Sequence, residues 1–205
     1  MPNVVTSPED LINLTLARIG WKGRIGSIWE GSVAAKKVLD VYSQTRDELL
    51  RASDWDFAER NVDLTMLKQA PVGGYIPPTT WNPTNYPALP WMFSYTYPSD
   101  CLKVRALKPS PLFIPNYAPV YWRWSVENDQ TYTPPQKVIL CNVPIAVLTY
   151  TGQITNPLDW EADFTETFAA TLGQRLAPAL VGLDPAKLEA QDAGQQMALS
   201  ETERG

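Results

Sequence analysis

A chain of 205 residues, 44% hydrophobic and 19% charged, has the apolar material for a core, which excludes global disorder. It holds no apolar run of about 18 residues, so no helical membrane span is expected. A formal charge of −5 is opposite to that of a protein whose main task is gripping nucleic acid, and the absence of histidine removes the commonest general base and metal ligand. Nineteen prolines, eight Trp and nine Tyr crowd toward the middle of the chain, and Met1 to Asp10 carries no basic segment ahead of an apolar run, so no secretory signal is expected.

The elements can be read in order from their punctuation. Ser7 is a cap, Pro8 suits a first helical position, and Glu9 and Asp10 complement the positive helix end, so a helix is predicted from Pro8 to Ile19, with Ile12, Leu16 and Ile19 on its apolar face and Gly20 as its stop. Trp21 to Gly31 is a glycine-punctuated connector that lacks the Gly-Lys-Ser/Thr of a phosphate-binding loop. Ser32 caps a second helix reaching about Ser53, with Ala35, Leu39, Tyr42 and Leu49 as its stripe, widened by Val38 and Ala52, and with Arg46, Asp47, Glu48 and Arg51 mostly outside it.

From Ala58 the period changes to two. Val62, Leu64 and Met66 alternate with Asp63 and Thr65, which reads as a strand. Residues 69–90 then carry prolines at 71, 77, 78, 83, 87 and 90 together with Tyr75, Trp81 and Tyr86, which forbids a regular ladder and exceeds an ordinary connection in length. Short strands are predicted at Trp91 to Tyr97, Leu102 to Leu107, Val120 to Val126, Lys137 to Cys141 and Ala146 to Tyr150. Tyr97 to Asp100 and Glu127 to Asp129 read as turns, and the close spacing suggests an antiparallel meander. A third helix opens near Asp159 or Trp160, with Phe164, Phe168, Leu172, Leu176 and Leu180 at i, i+4 spacing, and Pro178 must kink or end it. Gly182 breaks the chain, and Asp184-Pro185 starts a weakly amphipathic last helix to about Glu203.

The fold class expected is therefore α+β. The helices of residues 1–57 and 158–205 would form one bundle, with 58–157 inserted as the β region. Chemistry finds little support in the residues. Cys101 and Cys141 sit in apolar strands and read as buried thiols. The carboxylate pairs Asp54/Asp56, Asp159/Glu161 and Glu161/Asp163 lie at helix ends, where negative charge has a structural reason. Trp122 and Trp124 alternate with Tyr121 and Arg123, a pattern that suits sheet core better than a base-stacking platform without a basic funnel. No catalytic residue, cofactor or metal is expected. The final helix has too few apolar residues for its own core, which makes Leu188, Met197 and Leu199 candidate anchors, with Lys187, Gln191 and Gln195 beside them. Tyr75, Trp81 and Tyr86 are candidate contacts of the long loop.

Four stretches carry a likeness to a known family. They are Leu11 to Gly20, with its Leu-Ala-Arg-Ile-Gly ending; Arg46 to Arg51 followed by Trp55-Asp56-Phe57-Ala58; Tyr97 to Val104; and Tyr150-Thr151-Gly152 followed by Trp160 and the helix from Phe164 to Leu180. In order and spacing the chain resembles the head-to-tail connector proteins of tailed bacteriophages, the tail tubular protein A group most of all. The resemblance implies a structural virion protein of the neck, assembled in the host cytoplasm. It would form a ring, usually of twelve copies, between the portal and the tail tube or nozzle, with double-stranded DNA passing through the lumen unbound and with no membrane partner. Residues Lys187 to Leu199 would then face the portal, and Tyr75, Trp81 and Tyr86 would make ring or tail contacts. The alternative is a carbohydrate- or receptor-binding virion module using exposed Trp and Tyr.

Overall fold

The structure, a computed structural model, describes residues 7–73, 81–110 and 122–182. It is a mixed α+β chain of three helices and two antiparallel sheets. The chain divides into two units, one of Met1–Phe57 with Ile154–Gly205 and one of Ala58–Gln153. The return to the first unit thus comes at residue 154, four residues earlier than the sequence pattern suggests.

In the first unit, helix α1 (Pro8–Arg18) begins where its cap predicts, the Asp10 amide donating to Ser7 Oγ at 3.1 Å. Helix α2 (Val33–Ala52) begins the same way, the Ala35 amide donating to Ser32 Oγ at 3.2 Å. Helix α3 (Ala162–Leu180) follows a 3-10 turn at Pro157–Asp159 and contains Pro178 in its last turn, where the missing amide deprives one carbonyl of the preceding turn of its helical partner and the helix ends two residues later. Both α1 and α2 pack against α3. Phe164, Phe168, Leu172 and Leu176 are all buried. Phe164 stands edge-on to Trp55, Phe57 and Trp160 at 4.9–5.1 Å, and Phe168 stands edge-on to Tyr42 and Trp160 at 5.0 Å. Such ring pairs add about 0.5–1.5 kcal/mol each beyond burial. The end of α1 comes close to α3 at Gly173, where an added Cβ would sit 3.1 Å from Ile19 Cγ2.

The stripe of α2 differs from expectation. Ala34, Ala35, Val38, Tyr42, Thr45, Arg46 and Leu50 are buried, whereas Leu39 and Leu49 are half-buried and Ala52 is exposed. The face advances by three- and four-residue steps that reach Leu50 rather than Leu49. Arg46 can join it because its aliphatic stem packs inward while Nε donates to Asp47 Oδ1 at 2.8 Å.

The second unit contains two sheets. One holds β1 (Glu59–Asp63), β7 (Ala146–Gly152) and β4 (Cys101–Pro109) in that order; the other holds β2 (Met66–Gln69), β3 (Phe93–Thr96), β6 (Gln136–Cys141) and β5 (Trp124–Asp129). This is not the expected meander, because β7 pairs with strands far away in sequence on both sides and β3 pairs with β6. The single strand expected through Met66 is broken at a corner. The Leu64 amide donates to Ala146 O at 2.9 Å in one sheet, and Thr65 O accepts from the Thr96 amide at 3.0 Å in the other. Local alternation cannot signal that switch, since both halves are extended.

The sheets share one core of Tyr95, Cys101, Leu107, Ile139, Cys141, Val143, Ala146, Leu148 and Tyr150. Its two tyrosine hydroxyls are satisfied: Tyr95 Oη donates to Val143 O at 2.8 Å and Tyr150 Oη to Asp100 Oδ1 at 3.0 Å. Glu127 to Asp129 is not a turn but the end of β5, paired with Val138 to Gln136. Cross-strand pairing overrides the turn propensity of Asn and Asp, and the reversal lies at residues 130–135 instead.

Candidate functional site

Two surface features stand out, one in each unit. The first is a groove of about 190 Å³ in the β unit. One wall is the proline loop, with Trp81, Pro83, Tyr86 and Ala88; the other is the β5–β6 hairpin, from Glu127 to Thr131 with Val138 and Leu140 beneath. The sequence singles out Trp81 and Tyr86 together as aromatics of one long loop, and both line this groove. Trp81 is fixed by its Nε1–H, which donates to Pro87 O at 2.9 Å, while its ring stays 38% exposed.

A buried lysine holds the walls together. Lys68 of β2 is 7% exposed. Its Nζ donates to Pro83 O at 2.7 Å in the loop, and to Asp129 Oδ2 at 2.5 Å and Thr131 Oγ1 at 2.7 Å in the hairpin, with the Tyr132 ring centroid at 5.1 Å. Asp129 Oδ1 also accepts from the Thr131 amide and hydroxyl at 2.9 and 2.7 Å. Burial works to raise the Asp129 pKa, but the hydrogen bonds from Lys68 and Thr131 and the lysine charge outweigh it and hold the carboxyl below its ordinary value. With Asp129 so engaged, Glu127 is the carboxylate of the groove that meets no cation among the described residues. It accepts one bond, from Ser125 Oγ at 3.3 Å.

The second feature is Trp29, 77% exposed on the α1–α2 connector and the most exposed of the eight tryptophans. The turn under it is tied twice. Asn13 of α1 donates Nδ2–H to Ile25 O and accepts the Ile25 amide, both at 2.9 Å, which pins the buried Ile25. The Glu30 carboxylate accepts from the Gly26 amide (2.7 Å), the Ser27 amide (3.3 Å) and Ser32 Oγ (2.6 Å), and the Trp29 amide donates to Ser27 Oγ at 3.2 Å. Those bonds, from Ser32 first and then Gly26 and Ser27, lower the Glu30 pKa. The connector is therefore a built platform, not the plain link its glycines suggest. A tryptophan followed by a carboxylate, with Gly-Ser on either side of the Ile28-Trp29-Glu30 run, was the available signal.

The remaining candidates separate cleanly. Trp122 and Trp124 pack against the shared sheet core, and Arg123 between them is exposed. Cys101 and Cys141 are buried and unbridged, and burial raises both thiols, Cys141 to about 11. Asp54, Asp56, Asp159, Glu161 and Asp163 are all exposed, and no group of three His, Cys, Asp or Glu among the described residues could hold a metal ion. Tyr75, Tyr121 and the last-helix residues Lys187, Leu188, Gln191, Gln195, Met197 and Leu199 lie outside the described residues.

Comparison of the sequence with protein-family models and with curated proteins gives no match.

Proposed function

We propose that this chain is a head-to-tail adaptor of a tailed-bacteriophage virion, a ring subunit between portal and tail or nozzle that surrounds the DNA channel. The observation that carries this reading is the order of the units. Helices from both ends of the chain, α1 and α2 with α3, share one unit, and the β unit is inserted between them. That is the order in which the resembling motifs occur. In this reading the helices form one bundle, completed by the segment from 185 to 203, which would carry the portal contact through Lys187, Leu188, Gln191, Gln195, Met197 and Leu199. The β unit would face the ring or the tail. An acidic chain suits a lumen through which DNA must slide, because like charge disfavours phosphate binding.

The platform-mounted Trp29 and the groove with Trp81 and Tyr86 favour contact with other proteins, since rigid aromatic side chains bury much area at little entropic cost. A second reading, a glycan-binding module, rests on the same groove. Light scattering of the full chain, alone and after addition of portal protein, decides between them. A ring of many copies in either condition supports the adaptor. A monomer in both conditions that binds a glycan array would replace it with the second reading.

A further inference from the structure

The two surface features are complementary in charge. Residues 18–37 hold five basic residues, Arg18, Lys22, Arg24, Lys36 and Lys37, against one acidic residue, Glu30, in a chain whose other 21 acidic residues outnumber its other 12 basic ones. Arg18 is paired with Glu166. Lys22 and Arg24, on the same connector as Trp29, are exposed and meet no carboxylate among the described residues. The groove offers what they lack: the Trp81 and Tyr86 rings, the Pro83 wall and the Glu127 carboxylate, which meets no cation among the described residues.

We infer that the Trp29 platform of one copy docks on the Trp81–Tyr86 groove of a second copy. Arg24 enters between the aromatic wall and Glu127, and Trp29 closes the rim. A guanidinium is suited to this place because its plane stacks on an aromatic face while its edge meets a carboxylate. Trp, Tyr and Arg are also the residues that most often dominate interfaces. Platform and groove are different surfaces of the same chain, so the contact is head to tail and leaves one of each free at every step, which builds a closed ring when the rotation permits. The inference rests on the adaptor reading and adds to it the residues that join neighbouring subunits.

The experiment uses the full chain, followed by light scattering in whichever condition, alone or with portal protein, the wild type assembles. Circular dichroism confirms that each variant is folded. Arg24→Glu and Glu127→Arg should each raise the concentration needed for assembly by about tenfold or more, since each places like charges together. Trp29→Ala should do the same without a charge change. The double variant Arg24→Glu/Glu127→Arg should assemble again, and so should an equimolar mixture of the two single variants, because each then meets its complement in the neighbouring copy. Single variants that assemble like the wild type would overturn the contact while leaving the adaptor reading standing. Rescue in the double variant but not in the mixture would place the pair within one chain and overturn it too. Assembly that stops at two copies would make the contact a two-fold pair rather than a head-to-tail one. A wild-type chain that assembles in neither condition would remove the adaptor reading itself.

Discussion

Lys68 and Asp129 lie 61 residues apart in the chain and meet at 2.5 Å with both side chains nearly withdrawn from solvent. The pair closes the proline loop onto the β5–β6 hairpin, so the groove depends on it. Removing one partner of a buried pair leaves the other charge uncompensated, at a cost of about 3–5 kcal/mol. Asp129→Ala strands the more deeply buried lysine and should fall in that range. Lys68→Met strands a carboxylate nearer to water, which keeps its bonds from Thr131, and should cost less. Denaturant unfolding of the two variants and of the double variant should show that order, with the double cost well below the sum. Additive costs would show that the pair is not coupled.

Acid should loosen the same contact. The Asp129 pKa lies below its ordinary value of 3.8 in the folded protein. A depressed pKa means that the pair's contribution is fully present above the unfolded value and is lost as pH falls through the folded one. Between pH 7 and 5 the stability difference between the parent and Asp129→Asn should be constant. Below about pH 4 it should shrink. A difference that shrinks already between pH 7 and 5 would contradict the assignment.

The parts of this molecule that were legible in the sequence are those fixed by neighbours in the chain. Ser7 and Ser32 were readable as caps because a cap bonds an amide three residues on. The ridge from Phe164 to Leu176 was readable because one helix face repeats every three to four residues. The corner at Leu64–Thr65, the pairing of β3 with β6 and the Lys68 cluster were not, because each depends on which distant strands meet. Glu127 to Asp129 misled for a related reason: their local preference is for a turn, and the partner that overrides it is β6. Trp81 and Tyr86 could be singled out as aromatics in a long loop, but the carboxylate wall facing them came from the fold.

Phe168 is the best single probe of the helical unit. It is fully buried and stands edge-on to Tyr42 and Trp160. Phe168→Ala should cost about 3–5 kcal/mol through lost burial and an unfilled cavity. Phe168→Leu, which refills most of the volume, should cost clearly less. Thermal unfolding gives both values, and a melting temperature unmoved by the alanine change would show that this face is not core.

The Trp29 platform should respond to Glu30. Glu30→Ala removes the acceptor of two backbone amides and the Ser32 hydroxyl, so the turn should loosen without unfolding the exposed region around it. Amide hydrogen exchange at Gly26 and Ser27 should show faster local motion in the variant. Because the Glu30 pKa is lowered, the wild-type turn should hold above its ordinary value of 4.5 and loosen only as pH falls below it. Motion that is equal in parent and variant at pH 7 would show that the carboxylate does not tie the turn.

Ile145, in the connection between β6 and β7, has φ of 52° and is the one non-glycine residue with positive φ among those described. For a β-branched side chain this region is unfavourable, because Cβ crowds the following carbonyl, by about 1–2 kcal/mol. The position is kept by its surroundings, since Ile145 O accepts the Ser110 amide at 2.8 Å and the next residue begins β7. The side chain itself is half exposed, so its removal confuses lost contacts with relieved strain. Comparing Ile145→Ala with Ile145→Gly separates the two, because both remove the same contacts and differ only in Cβ. At an ordinary position glycine is the less stable of that pair by about 0.5–1 kcal/mol, through the entropy of the unfolded chain. Here the order should reverse, with the glycine variant the more stable by about 1 kcal/mol, since glycine alone escapes the crowding. For a unit of this size that difference corresponds to about 4–8 °C in melting temperature. An alanine variant equal to or more stable than the glycine variant would show that the backbone at 145 carries no strain.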